Sequence, residues 1–277
     1  MSRRKVGIIL KKASQEAAQM GDDLIHWLDR KNIEATVDSV TADLDLLIIL
    51  GGDGTLLHVA DQASQFEVPV VGVNLGDLGF LTEIAVGERY DVLESILAGE
   101  VTIEERIMLR ARLHEEETPT EWRVALNDVV VSKGSIDQLV RLATWADKEL
   151  ITSYRADGLI FSTPTGSTAY NLSAGGPIVH PLMSSILVTP VCPFMLESRP
   201  VLLPSGTTLT TRLVKPVKDV KVIVDGQFAW KMNEHDFLEV RVSPKPLRLV
   251  CSPEKGYFQI LRNKLNWGGG SSAGTRE

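Results

Sequence analysis

The chain's 277 residues carry 36 acidic against 29 basic side chains, a formal net charge of -7, with 44% apolar and 23% charged residues. This is the composition of an ordinary soluble globular protein and excludes a disordered or fibrous one, while the acidic balance argues against a general nucleic-acid binder. The two cysteines, Cys192 and Cys251, lie far apart without metal-ligand spacing, so neither a zinc site nor a disulfide framework is expected, and both thiols are predicted to be buried.

The first apolar run, residues 6–10, stops at Lys11-Lys12. It is too short for a signal or membrane segment, so it predicts a first strand, no membrane and a cytoplasmic location. Ala13, Ala17, Met20, Leu24 and Leu28 then recur at three- and four-residue steps, the stripe of an amphipathic helix. Residues 35–40 read as a weaker strand, 44–50 as a strong one and 68–73 as another; such runs with helices between them predict a parallel sheet covered on both faces. Past about residue 100 the period falls to two. Leu109, Ala111 and Leu113 alternate with Arg110, Arg112 and His114, and Leu238, Val240 and Val242 with Glu239, Arg241 and Ser243, which predicts half-buried strands. The expected fold class is therefore α/β plus all-β. An N-terminal α/β parallel-sheet domain spans 1–100 and a C-terminal β-rich domain 101–252. A segment 253–267 returns to the first domain, and a Gly/Ser-rich flexible tail covers 268–277.

The strong strand runs directly into Gly51-Gly52-Asp53-Gly54-Thr55. Ligands of open parallel sheets bind where strands end at their carboxyl edge, so this turn stands at the favoured place. Its glycines permit positive φ and close backbone approach, their N–H groups can form an anion-binding concavity, and a helix from Leu56 onward would present its positive end to phosphate. An aspartate there would be repelled by phosphate unless it holds a metal or accepts a proton, which makes Asp53 a candidate general base; the competing reading is a turn residue satisfied by local N–H groups. No GxxxxGK[ST], no GxGxxG opening a helix and no GxSxG occurs, so a P-loop ATPase, an ordinary dehydrogenase and a serine esterase all fall in rank.

Two further polar stretches stand out. Residues 155–177 are rich in Gly, Thr and Ser with Tyr170 and Asn171, which suits hydrogen bonding to a sugar, base or phosphate, or a long polar turn before a helix. Asn127-Asp128 interrupts an apolar strand, and polar groups there are either turn residues or ligand-facing.

Taken together, Gly51-Gly-Asp-Gly-Thr55, Asn127-Asp128, Arg155-Ala-Asp-Gly158, Thr163-Pro-Thr-Gly-Ser-Thr-Ala-Tyr170, Leu172-Ser-Ala-Gly-Gly-Pro177, Ser198-Arg-Pro200, Asp225-Gly-Gln227 and the closing segment 257–267 closely resemble the NAD kinases, in order along nearly the whole chain. The glycine-aspartate turn alone also resembles lipid kinases and phosphofructokinases; the string 163–170 is the specific part. The resemblance implies transfer of the γ-phosphoryl of ATP, with a divalent metal, expected to be Mg2+, to the 2′-hydroxyl of the adenosine ribose of NAD. It implies Asp53 as the base and Gly51, Gly52, Gly54 and Thr55 as the cradle for ATP phosphates. Asn127 and Asp128 would hold the ribose hydroxyls, Asp157 the nicotinamide amide, Thr168, Ala169, Tyr170 and Phe80 the adenine, and Ser173 the nicotinamide end. It leaves the metal's ligands open and implies a homodimer or homotetramer. Asp128 stands where many bacterial members have Glu, and Phe194 where the family usually has His. A lipid kinase and a non-catalytic NAD-binding regulator are the competing functions.

Overall fold

The computed structural model describes residues 4–115, 118–134, 138–195, 197–252 and 255–267. The expected tail, 268–277, lies outside the described residues. The chain divides into two compact units, one of 1–105 with 247–277 and the other of 106–246.

The first unit opens with β1 (Lys5–Leu10), α1 (Gln15–Arg30), β2 (Glu34–Val37), β3 (Leu46–Leu50), α2 (Asp53–Phe66), β4 (Val70–Asn74), β5 (Ile84–Ala85), α3 (Arg89–Ala98) and β6 (Ile103–Arg106). Its sheet runs β2-β1-β3-β4, with β4 continuing to a late strand and then β6, and β1–β2, β1–β3, β3–β4 and β4–β5 are parallel. Every residue of β3 and β4 is buried, as strands covered on both faces require. Of the predicted stripe of α1, Ala17, Met20, Leu24 and Leu28 are buried, whereas Ala13 precedes the helix, exposed and at φ +56°; Ser14 caps the helix by accepting from the Ala17 N–H at 3.2 Å. Leu24, Trp27 and Leu28 pack with Ile8, Ile48, Leu50, Val71 and Val73 in one core; each fully buried aliphatic side chain there contributes about 1.5–3 kcal/mol.

The second unit contains β7 (Leu109–His114), β8 (Arg123–Ala125), β9 (Asp128–Ser132), β10 (Val140–Ala146), β11 (Glu149–Ala156), β12 (Gly158–Ser162), α4 (Tyr170–Ser173), β13 (Ser185–Val191), β14 (Val201–Pro204), β15 (Leu209–Leu213), β16 (Lys221–Val224), β17 (Phe228–Lys231) and β18 (Phe237–Val242). Among the described residues these form two six-stranded sheets, β11-β10-β15-β18-β7-β8 and β14-β13-β12-β9-β16-β17. Leu109, Ala111, Leu113, Leu238 and Val240 from one sheet and Val129, Val131, Phe161, Val222 and Val224 from the other share one core, which is why the sequence alternates there.

The chain re-enters the first unit earlier than the sequence suggests. The second unit ends at Pro246, because β19 (Leu247–Val250) pairs in parallel with β4. Leu247-Arg-Leu-Val250 alternates like its antiparallel predecessors, so its period alone gives no sign of the change of sheet. After it, α5 (Tyr257–Leu265) buries Ile260 and Leu261, and the Lys255 ammonium donates to the Glu83 carbonyl at 3.0 Å and pairs with Glu88 at 2.5 Å. The cysteine expectation fails: Cys192 is exposed and Cys251 half-buried. No helix among the described residues is long and apolar enough to cross a membrane.

Candidate functional site

In the first unit the Gly51 N–H donates to the Val73 carbonyl at 3.0 Å, prolonging the sheet by one bond before the turn. α2 then starts at Asp53, three residues earlier than expected. None of Gly51, Gly52 or Gly54 adopts positive φ, so their necessity lies elsewhere. A Cβ on Gly51 would lie 2.4 Å from the Thr55 hydroxyl, whereas one on Gly52 or Gly54 would meet nothing within 4 Å. The turn thus faces open space with backbone exposed, and the N–H groups of Gly52, Asp53 and Gly54 have no acceptor among the described residues. These are the orphan donors that make a helix start attractive to anions.

Asp53 does not point into that space freely. Its Oδ1 accepts from Leu81 N (3.0 Å), Thr82 N (3.0 Å) and Thr82 Oγ1 (2.9 Å), and its Oδ2 from Phe80 N at 2.9 Å. One carboxylate therefore gathers the loop 79–82, and one acceptor position on Oδ2 remains. Gly79 permits this approach, since a Cβ there would lie 2.0 Å from Oδ1. Asn74, at the end of β4, donates to Thr82 Oγ1 at 2.8 Å and takes the Gly76 N–H on its own oxygen at 2.8 Å, so strand end, loop and helix start form one network. A recess of about 330 Å³ is lined here by Lys11, Gly52, Asp53, Asn74, Gly76, Asp77 and Lys264. The two lysines, the exposed N–H groups and the glycines suit a phosphate chain. Asn74, Thr82, Lys11 and Lys264 were not foreseen; Asn74, a polar residue closing a fully buried strand, carried the clearest signal.

In the second unit the 155–177 stretch sorts into inward and outward residues. Thr163 Oγ1 donates to the Leu126 carbonyl at 2.6 Å and accepts from Gly166 N at 2.9 Å. Ser167 bonds both backbone groups of Val179, and Asn171 donates to Ser167 and Pro177 carbonyls while accepting from Thr189 Oγ1 at 2.6 Å. These side chains are buried and spent on the fold, which for Thr163, Ser167 and Asn171 is the polar-turn alternative rather than the ligand-binding one. Gly166 lies tight on the Asn127 carbonyl, where a Cβ would come to 2.1 Å, which locks a 3-10 turn (Thr165–Thr168) onto the Asn127-Asp128 segment. Thr168 and Ala169 are half-buried, and Tyr170 and Ser173 exposed, so these four expected ligand residues are accessible.

Asp128 is the first residue of β9, 7% exposed, and its own carboxyl oxygens accept no hydrogen bond among the described residues. Burial, with the nearby Asp225 charge second, pushes this carboxyl up to about 7. A buried acid without a donor is costly in its charged form and suits a ligand bringing hydroxyl donors. Asn127, beside it, is half-buried with its amide unpaired among the described residues. Asp157 stands apart: it precedes β12, and Thr163 follows that strand's far end, roughly 15–20 Å away for five extended residues. Its carboxylate pairs with the Lys133 ammonium at 2.5 Å. Phe80 is half-buried and belongs, by its N–H bond, to the Asp53 network of the first unit. Phe194 is 60% exposed and stacks on the Arg155 guanidinium at 4.2 Å.

Comparison with known proteins adds to this geometry. Residues 31–101 match the description of the ATP-NAD kinase N-terminal domain and residues 126–252 that of the ATP-NAD kinase C-terminal domain. The chain is 42% identical to the NAD kinase of Syntrophobacter fumaroxidans and 38% to that of Geotalea daltonii, in both cases over 96% of this chain and 99% of the other. Among solved structures it resembles yeast NADH kinase complexed with NADH, with a TM-score of 0.85 and 26% identity over 99% of this chain and 91% of that one. It also shares the fold of an NAD kinase from Archaeoglobus fulgidus in complex with ATP, with a TM-score of 0.74 and 21% identity over 95% and 98% of the two chains.

Proposed function

The chain belongs to the NAD kinase family, and we propose on that premise that it transfers the γ-phosphoryl group of ATP to the 2′-hydroxyl of the adenosine ribose of NAD, giving NADP and ADP. The observation that carries the ribose assignment is the buried Asp128 carboxyl without a donor of its own. The 2′- and 3′-hydroxyls supply such donors, and Asn127 offers an amide beside them. A 2′-phosphate would meet the Asp128 charge, so the product is disfavoured as a ligand.

Phosphoryl transfer requires positioning and charge neutralisation above all. The N–H groups of Gly52, Asp53 and Gly54, with Lys11 and Lys264, hold the ATP phosphates. The 2′-oxygen attacks the γ-phosphorus, the bond to the β-phosphate oxygen breaks, and the hydroxyl proton passes to Asp53 Oδ2, the oxygen with an acceptor position left. Mg2+ enters with ATP as part of the substrate. It would be carried mainly on the phosphate oxygens, with Asp77 the further carboxylate of the recess. Thr168, Ala169 and Tyr170 take the adenine, and Ser173 and Asp157 the nicotinamide end. The distance between Asp157 and Thr163 along β12 supports an assembly, a homodimer or homotetramer, in which a neighbouring subunit supplies Asp157. The protein acts in the cytoplasm, where NAD and ATP are found.

Purified protein with NAD, ATP and magnesium, read through an NADP-specific dehydrogenase, is expected to form NADP only when ATP is present. NAD binding without product would favour a non-catalytic regulator and overturn the assignment. Light scattering of the same sample tests the assembly, a monomer at working concentration being the contrary result.

A further inference from the structure

The Asp225-Gly226-Gln227 turn joins β16 to β17 and has no part in the roles assigned so far. Asp225 sits at φ +46° and Gly226 at φ +68°. A left-handed conformation is uncommon for an aspartate and costs on the order of 1 kcal/mol or more, so the surroundings must hold it. They do so through the bond from Gln227 N to the Val224 carbonyl at 2.9 Å and from Asp225 N to the Asp128 carbonyl at 3.0 Å. So placed, the Asp225 carboxylate accepts three successive backbone N–H groups from the strand start beside it, Leu126 at 2.7 Å, Asn127 at 2.9 Å and Asp128 at 2.9 Å. Successive N–H groups converging on an anion are the concavity that elsewhere captures phosphate, filled here by a side chain roughly a hundred residues later in sequence.

The other side of the same segment is held as well. The Leu126 carbonyl accepts from Thr163 Oγ1, and the Asn127 carbonyl from Thr163 N and Ser162 Oγ. With its backbone tied on both sides, the segment leaves the Asn127 and Asp128 side chains unencumbered. A carboxylate is a poor choice if the only task is to fix a turn, since it places a second negative charge beside a buried acid.

We propose that Asp225 is a positioning residue for ribose recognition, clamping residues 126–128 so that Asn127 and Asp128 face the ribose, and setting by its charge how strongly Asp128 requires hydroxyl donors. The inference rests on the reading of Asp128 as the acceptor of the ribose hydroxyls. The Asp225 charge is one of the two causes that push Asp128 upward, after burial. Other charged groups on neighbouring elements are turned elsewhere. Lys221 of β16 pairs with Ser132 at the opposite end of β9, the Lys133–Asp157 pair flanks that same end, and Arg123 of β8 stacks on Phe228 at 4.5 Å.

Asp225→Asn keeps the shape and one carbonyl acceptor, and Asp225→Ala removes the clamp. In the alanine variant the Michaelis constant for NAD is expected to rise about tenfold or more, with that for ATP within about twofold. In the asparagine variant the acid limb of kcat/KM for NAD is expected to move to lower pH by about one pH unit. Parallel rises in both constants, or an unmoved acid limb, would leave Asp225 a structural residue only and overturn the proposal. If the wild type forms no NADP, the functional reading fails instead. NAD titration calorimetry on the same proteins then decides Asp225: an unchanged Kd in the alanine variant, or no NAD binding by the wild type, overturns the proposal.

Discussion

Asp53 heads a helix of one unit and Asp128 a strand of the other, under opposite conditions. Asp53 accepts four hydrogen bonds from the loop that follows β4, while Asp128 is 7% exposed and accepts none on its own carboxyl. Around Asp128 the gripping of backbone is done by a second carboxylate, Asp225. The first unit therefore unites anchor and candidate base in one side chain, whereas the second divides anchoring from ligand contact between two. A carboxylate with many fixed donors is held in position; one buried without donors depends on what binds it.

The largest expected effect breaks the first half of this comparison. Asp53→Asn should keep NAD binding and lower turnover by about 10²-fold or more. A turnover within a few-fold of wild type, in steady-state assays, would make Asp53 an anchor alone.

Asp128→Asn tests the second half. The Asp128 carboxyl lies near 7 in the folded protein against 3.8 unfolded. Because the folded value is the higher, the fold's relative stability is fully present below about pH 4 and lost as pH rises towards 7, by up to roughly 4 kcal/mol. The asparagine variant should thus be more stable than wild type at pH 8, with the difference vanishing near pH 4, while its Michaelis constant for NAD rises more than that for ATP. Denaturant midpoints at the two pH values check the first outcome, and an unchanged gap between them would contradict the burial argument.

Gly79→Ala sharpens the anchor reading, since its Cβ would press on Asp53 Oδ1. The displaced carboxylate should cost about 1–3 kcal/mol of stability and lower turnover with it. Equal turnover would show that the loop is not needed to aim Asp53. A smaller effect comes from Lys264→Ala, which should raise the Michaelis constant for ATP by up to about fivefold, less at high salt, and leave that for NAD unchanged. Smallest of all, Thr165→Val removes a buried hydroxyl that has no partner among the described residues, and its unfolding free energy from denaturant titration should match or exceed wild type by no more than about 1 kcal/mol.

Local signals were readable in the sequence. The apolar runs of β3 and β4, the stripe of α1 and the alternation of β7 and β18 follow from burial on two faces, one stripe or one face, and the glycine turn after Leu50 marked the strand end where a ligand approaches. Long-range pairings were not readable. Nothing near Asn127 signals that Asp225 fills its N–H concavity, and nothing near Asp53 that Thr82 and Phe80 close on it. For Thr163, Ser167 and Asn171 composition leaves turn and ligand roles both open, because hydroxyl and amide groups serve backbone and ligand equally well; their direction is fixed by packing, which composition does not record.

The break in the first unit bears on how the protein emerges from the ribosome. β4 stands inside its sheet only once residues 247–250 have been made, after all of 106–246. Until then β5 covers only the Val73–Asn74 end of that edge and the Val70 end is unpaired, on a strand whose every residue is destined for the core, the condition in which strands recruit stray partners. Every strand of the inserted unit is by then available, so that unit is positioned to fold first while its host waits, and an arrest between 246 and 250 would leave a nascent chain with one finished unit and one open, aggregation-prone sheet.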